Sequence, residues 1–239
     1  MTKDITRWLF RVPAGAAAAG LAAVLAACGT APASPTAASG SAASASPSGG
    51  ASQSAPPGYQ RVGGTAQGVS VAVPSSWTPV DLAAIPQGQL QSGLKSFGLT
   101  VTPTLLQALQ TLQTQKAFIA IDKQAGAGAS QFSTNVNGRC APSGTKLDGK
   151  AAVPVLSQQA EPSLASLSPH NFKLADVTLG GVPGIRLSYT LASPTKGTVA
   201  FAELIALPKP GTACFVTLTA QGSVPASLLS TLISSMQFP

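Results

Sequence analysis

The stretch "NFKLADVTLGGVPGIRLSYTLASPTKGTVAFAELIALPKPGTACFVTLTA", residues 171–220, decides the fold. Four apolar runs crowd into it: "NFKLADVTL", "GIRLSYTLA", "TVAFAELIAL" and "ACFVTLTA". Valine, isoleucine, threonine and aromatic residues suit a pleated, half-buried surface, so each run reads as a strand. The gaps between them are short, and parallel neighbours would need a crossover of a dozen residues or more. Consecutive strands joined by short turns imply an antiparallel sheet.

Working outward, "VSVAVP" (69–74) alternates into a strand that Pro74 ends. Thr102-Pro103 places an N-cap before a proline at the first helical position. Leu105, Leu109 and Leu112 then share a helix face, with Gln107, Gln110 and Gln113 mostly opposite. "KAFIAID" (116–122) reads as a buried strand, and "ASQFSTNVNGRC" (129–140) as another after a glycine-rich turn. A weaker helix spans Val153 to Leu167, interrupted at Pro162. In "VPASLLSTLISSMQF", Leu228, Leu229, Leu232, Ile233 and Met236 form one apolar stripe of a closing helix. The expected fold is α+β, a mostly antiparallel sheet with helices on its faces.

Composition narrows the partners. Hydrophobic residues make up 44%, aromatics 5% and charged residues 9%, with a formal charge of +7. The first 27 residues hold Lys3, Arg7, Arg11 and Asp4; without them 11 bases and 6 acids remain, a net +5. Those bases are scattered singly, whereas a nucleic-acid binder gathers them on one face or groove. No nucleic-acid partner is expected; weak attraction to anionic lipid or wall polymer is the better use of the charge.

The N-terminus states where the protein resides. "MTKDITRWLFR" is short and basic, "VPAGAAAAGLAAVLAA" is apolar, and small residues precede Cys28. That order is an export signal. Residues 12–27 fall short of the ~20 that span a bilayer. Leu25-Ala26-Ala27-Cys28 resembles the lipobox of bacterial lipoproteins. Its chemistry asks for a free thiol to form a thioether with diacylglycerol, small residues before it, and a bulky aliphatic three positions upstream. Residues 1–27 then form a signal peptide, and Cys28 carries two acyl chains, which anchor strongly where one chain would not. Ordinary secretion with cleavage nearby, or an uncleaved anchor, are the alternatives. Residues 29–58 are almost all Ala, Ser, Gly, Pro and Thr, so with Cys28 they form a tether (28–58) unable to bury enough surface to fold. As a flexible coil it holds the domain roughly 30 Å from its anchor. Residues 59–239 form one domain.

Several motifs bring a family into view. "GVSVAVPSSWTPV" resembles the opening strand and turn of the Mog1/PsbP-like domain, where an alternating strand runs into Pro and then Trp. "FSTNVNGRC" resembles its Asn-x-Asn strand, here Asn135 and Asn137. "VTLGGVPGIRLSY" is similar to its hairpin between two central strands, and "CFVTLTA" before an amphipathic helix to its C-terminal end. With the lipobox and tether, the chain resembles the LpqN/LpqT-type lipoproteins of actinobacteria. The resemblance implies an α/β/α sandwich and an accessory or binding module of the envelope, and it supplies no catalytic residue.

Chemistry-bearing residues are sparse. Ser92-x-x-Lys95, Ser133-Thr134-Asn135 and Lys196-Gly197-Thr198 approach the three motifs of penicillin-recognising serine enzymes, but the third should read Lys-Thr-Gly. Lys95 reads as a solvated helix residue. His170 is the single histidine, and no acid stands near it in a ligand-like spacing, so it reads as a surface residue and no metal site is expected. "QAGAGAS" lacks the third glycine of a dinucleotide loop. Trp77 either caps the core or offers a ligand platform. Asn135 and Asn137 either satisfy backbone groups or face a ligand.

The expected function is therefore non-enzymatic, with no cofactor. The chain is held on the outer face of the cytoplasmic membrane by its diacylglycerol, and its domain binds an envelope lipid, glycolipid or protein partner. A wall-directed serine hydrolase and a purely structural subunit of an envelope complex are the alternatives. With Cys28 acylated, Cys140 and Cys214 remain as a pair in an oxidising compartment, and an intramolecular disulfide follows. Two buried free thiols or an intermolecular bond are the other readings. Membrane fractionation checks the anchor: Cys28→Ser should release the protein or leave it as precursor. A variant processed and membrane-bound like wild type removes the lipoprotein reading.

Overall fold

The computed structural model describes residues 54–82, 85–86, 89, 103–122, 134–193 and 197–239. The chain runs through β1 (Tyr59–Gly64), β2 (Val69–Pro74), β3 (Thr78–Val80), α1 (Pro103–Thr114), β4 (Phe118–Ile121) and β5 (Asn135–Pro142). It continues through α2 (Gly149–Leu164), a 3-10 turn (Ala165–Leu167), β6 (His170–Leu179), β7 (Val182–Ser193), β8 (Gly197–Lys209), β9 (Thr212–Gln221) and α3 (Ala226–Ser235). β1 and β2 form a separate hairpin, and the other strands form one antiparallel sheet in the order β3-β4-β5-β9-β8-β7-β6. The fold is α+β, as the strand-rich stretch implies.

Local chemistry explains the four late strands. Leu179 faces Val182 across Gly180-Gly181, whose φ values of 54° and 83° suit a two-residue hairpin turn that other residues resist. β8 and β9 meet at Lys209↔Thr212 around Pro210-Gly211. β6, β7, β8 and β9 thus form one meander, and β3, β4 and β5 form another, whose first connection carries α1. The two meanders join where β5 pairs with β9 from Asn135↔Thr219 to Pro142↔Thr212.

Three elements depart from the sequence expectation. β1 pairs with β2 along its whole length, although "YQRVGG" shows no alternation; its pairing comes from the neighbour. β3 is three residues long and carries Pro79, which confines it to the sheet edge. α2 starts at Gly149 and runs on through Pro154 and Pro162. Each proline removes one helical hydrogen bond. Burial of Ala152, Ala160, Ser163 and Leu164 against the sheet holds the helix beyond Pro162, after which it tightens into the 3-10 turn.

Strand alternation sorts the sheet into two faces. One face presents Phe118, Ala120, Val136, Leu204, Val216 and Leu218 to the β1–β2 hairpin, to Leu228 and Leu232 of α3, and to Met236 just after it. Trp77 belongs to this core, as its capping role requires. The opposite face carries two clusters. α2 covers Ile185, Leu187, Phe201 and Ile205, while Leu109 and Leu112 of α1 pack on Val80, Ile119 and Ile121. β5 and β9 lie between those clusters.

Cys140 and Cys214 are joined by a disulfide. They stand directly opposite each other on β5 and β9, with Cα atoms 3.9 Å apart and a separation of 74 positions in sequence. The bridge therefore pins the seam between the two meanders. The β1–β2 turn closes over it: the Cys140 N–H donates to the Gln67 carbonyl at 2.6 Å. Gly68 follows with φ +73°, where a Cβ would lie 2.9 Å from that of Cys140. Replacing both cysteines by alanine should lower stability by roughly 2–4 kcal/mol, read by urea unfolding. Thiol titration of the denatured, unreduced protein should find neither cysteine reactive; two reactive thiols contradict the bridge.

Candidate functional site: a polar tract on the sheet seam

The strand registers assemble a polar tract between α1 and α2. Asn137 of β5 faces Thr217 of β9, which faces Glu203 of β8, so the three form one cross-strand row. Ile119 and Leu187 close that row at its ends. The next row along the strands is Asn135, Thr219, Phe201 and Tyr189. Because side chains alternate, all of them share the helical face with Ile205 and Phe215.

Every member of this tract is buried, yet several polar atoms are unpaired. Asn137 is 1% exposed and Thr219 0%, and neither the Asn137 Oδ1 and Nδ2 nor the Thr219 Oγ1 has a hydrogen-bond partner. Each such group costs about 1–3 kcal/mol relative to a satisfied one, and native folds keep few of them. The sequence allowed Asn137 a backbone-satisfying role; the structure corrects this, since its carboxamide bonds nothing. Asn135 is buried beside it, opposite Thr219.

Glu203 is 6% exposed and the one buried charged side chain among the described residues. Its Oε1 accepts a hydrogen bond from the Tyr189 hydroxyl at 2.5 Å. The Tyr189 ring stacks on Phe201, with centroids 4.9 Å apart and planes 10° from parallel. Burial pushes the Glu203 carboxyl above its usual range, and the Tyr189 bond opposes that shift. Burial, then the charge and hydrogen bond of Glu203, push the Tyr189 phenol far above its own. Glu203, Tyr189, Thr217 and Thr219 escaped the sequence reading. A signal existed: Glu203 has the parity of Phe201 and Ile205, a charge on the apolar side of a strand.

The other candidates fall elsewhere. His170 opens β6 and is exposed, as expected. Ser92, Lys95, Ser133, Lys196, the "QAGAGAS" segment, Cys28 and Leu25-Ala26-Ala27 lie outside the described residues. Among the described residues no group of three His, Cys, Asp or Glu converges as a metal site, and no helix is long and apolar enough to cross a membrane.

The architecture is thus an α+β sandwich with a buried polar seam. No family model matches the sequence, and no curated protein sequence does. Solved structures of similar course include a protein of Bacteroides thetaiotaomicron VPI-5482 (TM-score 0.44, 9% identity), covering 75% of this chain. This chain spans about half of that protein, 48%. Cyanobacterial PsbP of Synechocystis sp. PCC 6803 gives TM-score 0.44 at 13% identity, covering 80% of this chain and 98% of its own. LpqN of Mycobacterium tuberculosis, described as involved in cell envelope biogenesis, gives 0.40 at 15%, covering 72% and 83%. At such scores the likeness assigns neither ligand nor partner.

The raised carboxyl of Glu203 makes a pH prediction. A group whose folded pKa lies above its unfolded value stabilises the fold fully below the unfolded pKa, and that contribution is lost as pH rises through the folded pKa. Glu203→Gln keeps an oxygen for Tyr189 and removes the titration. The variant should therefore gain stability relative to wild type as pH rises above the ordinary carboxylate range of about 4. Urea unfolding of both proteins across pH measures the difference; a difference independent of pH contradicts the shift.

Proposed function

We propose that this protein is a lipid-anchored, extracytoplasmic accessory module of the cell envelope. It binds an envelope lipid, glycolipid or protein partner and performs no chemistry of its own. The observation that carries this reading is the seam tract: a buried carboxamide and a buried hydroxyl with no partner stand beside a buried carboxyl. Native folds keep few buried polar groups unsatisfied, and a bound group or an ordered water is what such atoms ordinarily meet. The lipobox-like Leu25–Cys28 and the tether supply the location, holding the domain within reach of lipid and of lipid-borne partners.

Native mass spectrometry of the protein extracted from its own envelope tests this reading. Wild type should carry a bound mass that Asn137→Leu loses while keeping its disulfide and its unfolding transition. Leucine is close in volume and removes the unpaired amide, so the variant's stability should hold or rise. An identical load on both proteins, or none on wild type, overturns the assignment of the tract as the site.

A further inference from the structure

We propose that an open strip of the sheet, formed by β6 and β7, docks the domain on an anionic bilayer through Lys173 and Arg186. The strip lies on the face opposite the seam tract and does not depend on it. On that face β8 is buried at Ala200, Ala202, Leu204 and Ala206. Cover then stops: Arg186, Ser188 and Thr190 of β7 are half-buried, and Lys173 of β6 is exposed. Lys173 stands directly opposite Ser188, Arg186 opposite Ala175, and His170 opposite Thr190. Directly opposed residues share a face, and Arg186 is also opposed to Leu204 of the hairpin-side core. The irregularity between His170 and Lys173, where Asn171 takes φ 55°, brings residues of opposite parity to the same side. Three bases dispersed in the sequence thus meet on one surface.

The fold does not answer this charge. Among the described residues neither Lys173 nor Arg186 has a hydrogen bond or an ion pair. The one acid on β6, Asp176, stands opposite Ile185 and so faces α2. Among the described residues no acid lies on this side of β5 to β9, in the β1–β2 hairpin or in α3. Lys173 and Arg186 are diagonal neighbours, about 7–8 Å apart, close enough to repel at physiological salt. Anions that meet both cations relieve that repulsion. Shape narrows the anion. Ala175, Ser188 and Thr190 are short, so the two long cationic side chains stand above their neighbours. β6 is the sheet edge, with no further strand beyond it among the described residues. A small ligand is held in an enclosed cleft and a polymer strand in a groove, whereas an open strip suits a planar array of phosphates. The guanidinium can take two oxygens of one headgroup and the ammonium those of another. The proposed anchor keeps that array within reach, and the high local concentration lets weak contacts suffice.

Paramagnetic relaxation of the full-length protein on lipid nanodiscs carrying a gadolinium-chelate lipid tests this. On discs of phosphatidylcholine with one-third phosphatidylglycerol, the amides of Lys173, Ala175, Arg186 and Ser188 should broaden, and those of α2 on the other face should not. The contrast should vanish on pure phosphatidylcholine and in about 1 M salt, where screening is complete beyond ~3 Å. Lys173→Gln with Arg186→Gln should weaken docking about 25-fold across a phosphatidylglycerol series, from about 1 kcal/mol for each base near an anionic leaflet. Lys173→Arg with Arg186→Lys keeps both charges and should still dock. Even broadening over the whole surface is a domain that only swings on its tether, and overturns the docking alone. No broadening anywhere overturns the docking together with the anchor. Docking that survives the double glutamine variant overturns the strip as the surface. Soluble polyglutamate that shifts these amides where anionic discs do not overturns the bilayer as the occupant.

Discussion

The pairing of β5 with β9 is the constraint on which the rest of the fold depends. The β6–β9 meander can form from local turns, whereas β3 and β4 are joined through α1, and neither set covers its own faces. Joined at β5–β9, they make a sheet wide enough to carry α1 and α2 on one side and the β1–β2 hairpin with α3 on the other. The contact is non-local, so its chain closure costs entropy that local turns do not. The disulfide between Cys140 and Cys214 sits on this seam, directly opposite in register, and removes much of that freedom from the unfolded chain.

The same seam carries the polar tract on its other face. The hairpin side is apolar and closely filled, with Gly68 giving the β1–β2 turn room to close over the bridge. The helical side places Asn137, Thr217 and Thr219 between two apolar clusters. A sheet optimised for stability alone would fill these positions with valine or leucine, since unpaired buried polar groups cost free energy. The disulfide and the apolar face behind it offset that cost, so the tract can exist without local unfolding. The bridge on one face and the polar tract on the other thus lie on the same pair of strands.

The charge distribution supports this division. The bases beyond residue 27 are scattered singly along the sequence. The buried charged residue is an acid, with a phenol as its hydrogen-bond partner. Burial of such an acid is costly and shifts the carboxyl toward its neutral form, while the Tyr189 bond opposes that shift. Its stacked neighbours Tyr189 and Phe201 fix the orientation of the phenol, and so of the carboxyl.

What the sequence determined by itself was local. The four late strands were legible because glycine and proline turns separate β-branched runs within a few residues. The closing helix was legible because its stripe repeats at helical spacing. The Cys140–Cys214 pairing was legible by arithmetic and compartment, since the lipobox pattern claims the third cysteine. Tertiary structure decided the rest. It made β1 a strand through its pairing with β2, and carried α2 through Pro162 because its far end is buried. It also brought Asn137, Thr217 and Glu203 into one row, although Asn137 and Glu203 lie 66 positions apart in the sequence. Alternation tells which residues share a face of one strand, but not which strand lies alongside. That choice depends on how two whole meanders bury their apolar faces together, a property that no single segment holds.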